Sequence, residues 1–356
     1  MASYTKGLID FPLTFRKLVC TKMTQNFREA ITLNTATVSK ESLKPNEVII
    51  RSKYVGINAS DINVTAGRYG SKPPFTVGME ALGEVVWVGE RCSSLKPGDP
   101  VAVNNIGSFS EYLVLPERTA LRLPSLKPEH LAFIISGTTA SISLEKLGDL
   151  KPKENVLVTA AAGGTGQFAV QLAALAGCHV IGTCSSDEKA EFLRSLGCNR
   201  PINYTKEDLG QVLKNEYPRG LDVVYESMGG DIFNTCVRNL AVRGRLIVIG
   251  MITDYQKESY KAIPTVPIQQ ILLSKSASLR GFFLLHYMRE LPKHIGELAK
   301  LESEGKLKVG VDLGAHLPGG PFRGLTSIPD AVDYLYTKKS KGKIVVTLHD
   351  DQLSKL

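Results

Sequence analysis

The stretch VLVTAAAGGTGQFAVQLAALAG, Val156–Gly177, constrains this chain more than any other. A short apolar run rich in valine passes into a glycine-rich turn. The turn leads into a segment that sets Phe168, Leu172, Leu175 and Ala176 along one predicted helical face. Ala161, Gly163 and Gly166 occupy the three glycine positions of G-x-G-x-x-G, so alanine replaces the first glycine. Such a turn still lets backbone N–H groups approach a pyrophosphate at the positive end of a helix beginning near Gln167. A joint packed tightly for purely structural reasons would carry the same pattern, and the surrounding sequence weighs against that alternative. HVIGTC, the helix EKAEFLRSLG, PINY, DVVYES and RLIVIG follow in order. This alternation predicts a Rossmann-type, doubly wound parallel sheet.

The second strand bears on which dinucleotide is bound. An NAD site expects an acidic residue at the end of HVIGTC to grip the ribose hydroxyls, and Cys184 stands there. Ser185 follows it, and Lys189 lies one turn into the next helix. A hydroxyl and an ammonium there supply donors to a 2′-phosphate, so NADP(H) is expected over NAD(H). The local alternative is a capping box formed by Ser185 and Glu188, with Lys189 a solvated helix residue. Tyr204, ending the next strand, completes the phosphate pocket or covers the sheet edge.

Composition narrows the class. A chain of 356 residues can bury one or two cores without disulfides. Its six cysteines are scattered and never two residues apart, so free thiols are expected rather than a zinc ribbon or redox pair. No apolar run reaches the roughly 20 residues of a membrane span. The start MASYTKGLID has no basic region followed by an apolar core, and a soluble, non-secreted protein is expected. The net charge of +8 is spread along the chain, apart from Lys338, Lys339, Lys341 and Lys343, which argues against nucleic acid as a partner. The first third carries short β-rich runs with turn punctuation, such as EVIIRSKYVGI, ALGEVVWVGE and KPGD, and reads as a barrel-like region.

GINASDINVTAGRY, GMEALGEVVWVG, LKPGDPVAV, SGTTAS and AAAGGTGQ fall in an order and spacing that resembles the medium-chain dehydrogenase/reductase family over nearly the whole chain. Within it they resemble the zinc-free quinone oxidoreductase and enone reductase branch. The resemblance implies an α/β protein in which a Rossmann NADP(H)-binding domain (144–284) is inserted into a GroES-like β-barrel catalytic domain (1–143). Residues 285–356 return to that catalytic domain, and the active site lies in the cleft. Carried over with it are cofactor contacts at Gly164 and Thr165 in the turn, Ser227 after DVVYE, Met251 after RLIVIG, and Phe282, Phe283 and Leu284 beside the nicotinamide. The last three equally fit a buried strand.

In zinc-containing members a cysteine precedes the S-D pair; here that residue is Asn58. The histidine expected before Glu80 is Met79, and Ile134–Ser136 holds no cysteine. These side chains suit Zn²⁺ poorly, only Cys92 remains near the place of a structural zinc lobe, and no zinc is expected. Without a Lewis acid, reducing a C=C bond conjugated to a carbonyl is easier than reducing an isolated ketone. The charge then spreads into an enolate that one or two hydrogen bonds can hold. Tyr255, in the loop GMITDYQ that resembles the tyrosine-containing loop of prostaglandin reductases, is the candidate donor. Packing on the loop or bonding to the cofactor ribose is its alternative. Asn58 is the candidate to bond the nicotinamide carboxamide or the substrate, or else a turn-forming residue.

The expected activity is NADPH-dependent reduction of an enone or lipid-like enone, with 15-keto-prostaglandins as the substrates the resemblance suggests. Quinone reduction is the enzymatic alternative, and a non-catalytic NADPH-binding protein the alternative of another class. An exposed sheet edge makes a homodimer a reasonable expectation. The sequence closes on Ser354, Lys355 and Leu356, the tripeptide read by the peroxisomal import receptor, so a peroxisomal location is expected, with a location shared with cytoplasm as the alternative.

Overall fold

A computed structural model describes residues 8–258 and 266–349, and the C-terminal tripeptide lies outside them. The chain divides into two compact units. The first takes in residues up to Ile134, Val311–Thr337 and the residues from Ile344 onward; the second takes in Ile135–Gly310 and Lys338–Lys343.

The first unit is built from β1 (Leu13–Cys20), β2 (Ile31–Val38), β3 (Glu47–Gly56), the two-residue β4 (Phe75–Thr76), β5 (Glu80–Val88), β6 (Pro100–Asn104), β7 (Tyr112–Pro116) and β8 (Ala120–Arg122). β1 sits between β2 and β4 in a small antiparallel sheet. β3 is the hub of a larger sheet, pairing antiparallel with both β5 and β7, while β6 and β8 continue beyond β5. Val48, Ile49 and Ile50 are all buried on β3, a continuous run rather than an alternation. A curled sheet covered on both sides buries successive residues in this way.

The second unit carries β9 (Asn155–Val158), β10 (His179–Cys184), β11 (Arg200–Asn203), β12 (Leu221–Glu226), β13 (Leu240–Val248) and β14 (Ser278–Gly281). They form one parallel sheet in the order β11-β10-β9-β12-β13-β14. The order reverses beside β9, so the ligand crevice of such a sheet lies beyond the carboxyl ends of β9, β10 and β12. Leu157, Ile181, Val224 and Leu246 are fully buried in its core.

The helix Gly166–Leu175 does not bury the face its apolar residues predict. Phe168 is buried, but Leu175 is 50% exposed, and the buried side chains include Gln167 and Gln171. Each glutamine amide makes a reciprocal pair with backbone. Gln167 donates to Gly310 O (2.9 Å) and accepts from Gly310 N (2.7 Å), and Gln171 does the same with Lys308 (2.8 Å each way). Satisfied amides can be buried at little cost, so polar side chains took the place of Leu175.

The helix Leu291–Ser303 lies in the second unit and not with the return, because its Leu291, Ile295 and Leu298 face packs on the helix Thr138–Ser143. The chain then re-enters the first unit's larger sheet through β15 (Val311–Asp312) and β16 (Lys343–Thr347), which pairs Val345 with Gly56. All six cysteines are free thiols. No helix among the described residues is long and apolar enough to cross a membrane.

Candidate active site

The turn between β9 and the helix Gly166–Leu175 is shaped by how closely two backbones approach. A Cβ on Gly166 would fall 2.5 Å from Ala160 O and 2.7 Å from Ala161 Cα, so only glycine fits there. Alanine at the first motif position is accommodated by its neighbour on β10: a Cβ on Gly182 would lie 3.0 Å from the Ala161 methyl, which is fully buried. Gly163 donates to Ala160 O (2.9 Å), and a Cβ on Gly164 would meet Ser136 Oγ at 3.0 Å. Thr165 stands at the helix N-cap but makes no side-chain cap. Its hydroxyl bonds Ser136 O (2.9 Å) and Tyr225 Oη (2.7 Å), fixing the turn from behind. The start of the helix therefore offers backbone N–H groups rather than a side-chain oxygen.

At the end of β10, burial pushes the Cys184 thiol up, so the strand finishes without charge. The alternative of a Ser185–Glu188 capping box is not what forms: Ser186, not Ser185, caps the helix Asp187–Ser195 by accepting from Lys189 N (3.2 Å). Ser185 is thereby turned to another task. Its hydroxyl and the Lys189 ammonium both donate to Lys338 O (3.0 and 2.7 Å), with 3.3 Å between the two side chains. The Tyr204 phenol bonds Ser185, and burial raises its pKa. Lys341 pairs with Glu188 at 2.5 Å on the same helix. The basic cluster at 338–343 stands out in the sequence, but its place beside Ser185 does not, because Lys338 lies 153 positions further along the chain.

The loops after β12 and β13 are knitted together. Ile252 N and Thr253 N donate to Ser227 O and Met228 O (3.1 Å each). Ser227 N donates to Thr159 Oγ1 (2.9 Å), tying the first of these loops to the turn. Tyr255 is 8% exposed, and its hydroxyl accepts from Met251 N (3.2 Å). Phe282 is buried, extends the β13 ladder through Phe282 N→Val248 O (3.0 Å), and stacks on Tyr287 at 4.8 Å. Phe283 is 39% exposed, meets His286 edge-on, and leads into the short helix Leu284–Tyr287.

One group in this crevice escaped sequence reasoning. Glu226, the last residue of β12, is fully buried and accepts from Met228 N (2.8 Å), Gly229 N (3.1 Å) and Thr159 Oγ1 (3.4 Å). Burial outweighs these bonds and raises its pKa to about 7. A lone glutamate at a strand end carries no spacing signal, so only its burial reveals it.

In the first unit, Asn58 is buried and its amide donates to Glu80 Oε1 (3.0 Å) and Gly56 O (3.3 Å). Its backbone N–H donates to Asp61 Oδ2 (2.8 Å), and Ser60 Oγ lies 3.3 Å from Met79 Sδ. A carboxamide already bonded to a carboxylate, together with a thioether, is a donor set that does not fit Zn²⁺.

Residues 44–125 match the alcohol dehydrogenase GroES-like domain, and residues 164–300 match the family described as zinc-binding dehydrogenase. Over 367 aligned residues the chain is 51% identical to prostaglandin reductase-3 of Mus musculus, covering 99% of this chain and 96% of that protein. It is 41% identical over 345 residues to a probable quinone oxidoreductase of Leishmania amazonensis, covering 95% and 99% respectively. The crystal structure of Escherichia coli quinone oxidoreductase complexed with NADPH resembles it with a TM-score of 0.78 at 27% identity, covering 93% of this chain and 99% of that one.

Proposed function

Because the chain belongs to the medium-chain dehydrogenase/reductase superfamily, we propose that it is an NADPH-dependent, zinc-independent reductase of the C=C bond of α,β-unsaturated carbonyls. Its proposed substrates are 15-keto-prostaglandins, reduced at C13, in keeping with its identity to a prostaglandin reductase. The observation that carries the cofactor choice is the gathering of Ser185, Lys189 and Tyr204 beyond a β10 that ends in an uncharged Cys184. A 2′-phosphate meets donors there and no carboxylate.

Bound along the turn, NADPH would supply the hydride for the β-carbon. The backbone from Ala161 to Gly166 holds the pyrophosphate, and Ser185, Lys189 and Tyr204 hold the 2′-phosphate. Ser227 and Met251 keep the loops beyond β12 and β13 in place, while Phe282, Phe283 and Leu284 offer apolar surface to the nicotinamide end. Tyr255 donates to the carbonyl oxygen as negative charge builds on it. Accepting from Met251 N polarises the phenol toward donating its proton. Asn58 is the first unit's candidate hydrogen-bond partner for a ligand, its amide oriented by Glu80.

Quinone reduction is the second reading, favoured by the Leishmania and Escherichia relatives. Steady-state NADPH oxidation with enones, quinones and saturated ketones separates the two. The enone is expected to turn over many times per chain, the saturated ketone not at all. Absence of turnover with every acceptor would leave a binding protein and defeat the proposal. We also propose peroxisomal import through Ser354, Lys355 and Leu356. Removing Leu356 is expected to turn a punctate distribution diffuse, and identical distributions would refute it.

A further inference from the structure

We infer that Glu145, Glu290 and His294 form a binding site for a divalent first-row cation of zinc-like preference, separate from the reductase machinery. Glu145 lies in the π-helical turn Leu144–Gly148, and Glu290 and His294 lie one turn apart at the start of the helix Leu291–Ser303. One ligand atom from each comes within 4.8 Å of the other two. His294 Nε2 is 3.8 Å from Glu145 Oε2 and 4.0 Å from Glu290 Oε2.

Two carboxylates on a protein surface would by themselves say little. The histidine is what points to a ligand. Its side chain is fully buried, yet Nε2 has no hydrogen-bond partner and faces the two carboxylates. A buried nitrogen left unmatched is costly, so such an atom calls for an occupant. The other ring nitrogen, Nδ1, is 2.7 Å from Ser141 Oγ, with Glu297 Oε2 farther off at 3.7 Å. With Nδ1–H donated to that hydroxyl, the Nε2 lone pair points at the carboxylates, which is how second partners orient metal-bound imidazoles.

Bonds of about 2.1 Å to a tetrahedral ion set ligand atoms about 3.4 Å apart, so the histidine–carboxylate gaps need to close by about half an ångström and the gap between the carboxylates by no more than about 1.4 Å. Imidazole with two carboxylates suits zinc, cobalt or manganese, with water in the remaining position. Two ammonium groups compete for the carboxylates. Lys146 Nζ lies 2.9 Å from Glu290 and 3.4 Å from Glu145, and Lys293 Nζ lies 2.9 Å from Glu145 and 3.9 Å from Glu297. Both lysines are about half exposed, at 41% and 54%, and can swing into solvent when an ion arrives. The ion would tie the π-helical turn to the start of the helix.

The test uses the whole chain, stripped with a chelator and titrated with Co²⁺ and Zn²⁺. One Co²⁺ per chain is expected, giving a d–d absorption band, and Zn²⁺ is expected to displace it and raise Tm. Glu290→Gln is expected to weaken binding at least tenfold and His294→Gln to abolish it. Ser141→Ala is expected to weaken it by about tenfold, as for other outer partners of metal ligands. Lys146→Met should tighten binding, an outcome that a purely structural ion-pair network would not produce. No Co²⁺ uptake by the parent chain overturns the inference, as does uptake unchanged in Glu290→Gln and Ser141→Ala. Those two exposed or half-buried changes keep the test decisive even if His294→Gln fails to fold.

Discussion

The turn of the second unit and the Asn58–Glu80 region of the first treat their polar groups in opposite ways. In the turn, Thr165 gives its hydroxyl to Ser136 and Tyr225 and leaves the helix start to backbone N–H groups, while Ser185, Lys189 and Tyr204 gather nearby. A hydroxyl, an ammonium and a phenol gathered beyond the strand end suit an anionic ligand. In the first unit, Asn58 gives its amide to Glu80 and Gly56 and its backbone N–H to Asp61, so its donors are held by neighbours. The buried carboxylates differ likewise: Glu226 is held by backbone N–H groups, Glu80 by the amide side chain of Asn58. One region concentrates donors at a helix start and a strand end, and the other commits the donors of Asn58 to a carboxylate and a carbonyl.

The most severe break is expected from Gly166→Ala, whose methyl would sit 2.5 Å from a carbonyl oxygen. Overpacking of this kind costs about 3 kcal/mol or more, seen as a lower denaturation midpoint with loss of NADPH binding. A neutral result would show that the close strand–helix approach is dispensable.

Glu226 tests the buried-acid half of the comparison. Its folded value of about 7 exceeds the ordinary 4.5, so its protonated form is favoured by folding. Stability from this group is complete at low pH and is lost as pH rises through about 7. At pH 8 the loss is roughly 3 kcal/mol, with Asp254 adding to the repulsion and the Cys236 thiol neutral. Glu226→Gln should flatten the difference between pH 5 and pH 8 in urea titrations; an unchanged slope would assign the pH dependence elsewhere.

Lys189→Ala removes a charge-assisted contact worth roughly 1.5–3 kcal/mol, so NADPH binding by calorimetry should weaken ten- to a hundredfold while NADH binding barely moves. Equal losses would make Lys189 a support of the fold. Tyr255→Phe should lower enone turnover more than NADPH affinity, because the phenol acts as charge develops. A fall in affinity alone would make Tyr255 a cofactor ligand. The smallest effect is expected in the first unit: in the Glu290→Gln chain, whose second-unit cation site is weakened, chelation should leave enone turnover unchanged, and a loss reversed by zinc there would overturn the reading of Asn58 and Met79.

Sequence alone determined the class of the fold and the place of the turn. Strand and helix periodicity and the spacing Ala161–Gly163–Gly166 are local properties, and the parallel sheet with its reversal beside β9 follows from them. So does the exchange of a carboxylate for Cys184 and Ser185. Tertiary structure decided what depends on partners distant in the chain. It gave the helix start at Gly166 a glutamine face because Lys308 and Gly310 offer backbone to it, and made Ser186 the cap so that Ser185 could turn to Lys338. It also buried Glu226 and His294, whose neighbours in sequence announce nothing. Periodicity records how a segment meets its own backbone. The protonation and pairing of a buried polar group depend on desolvation by whatever packs over it, and that is set by the whole chain.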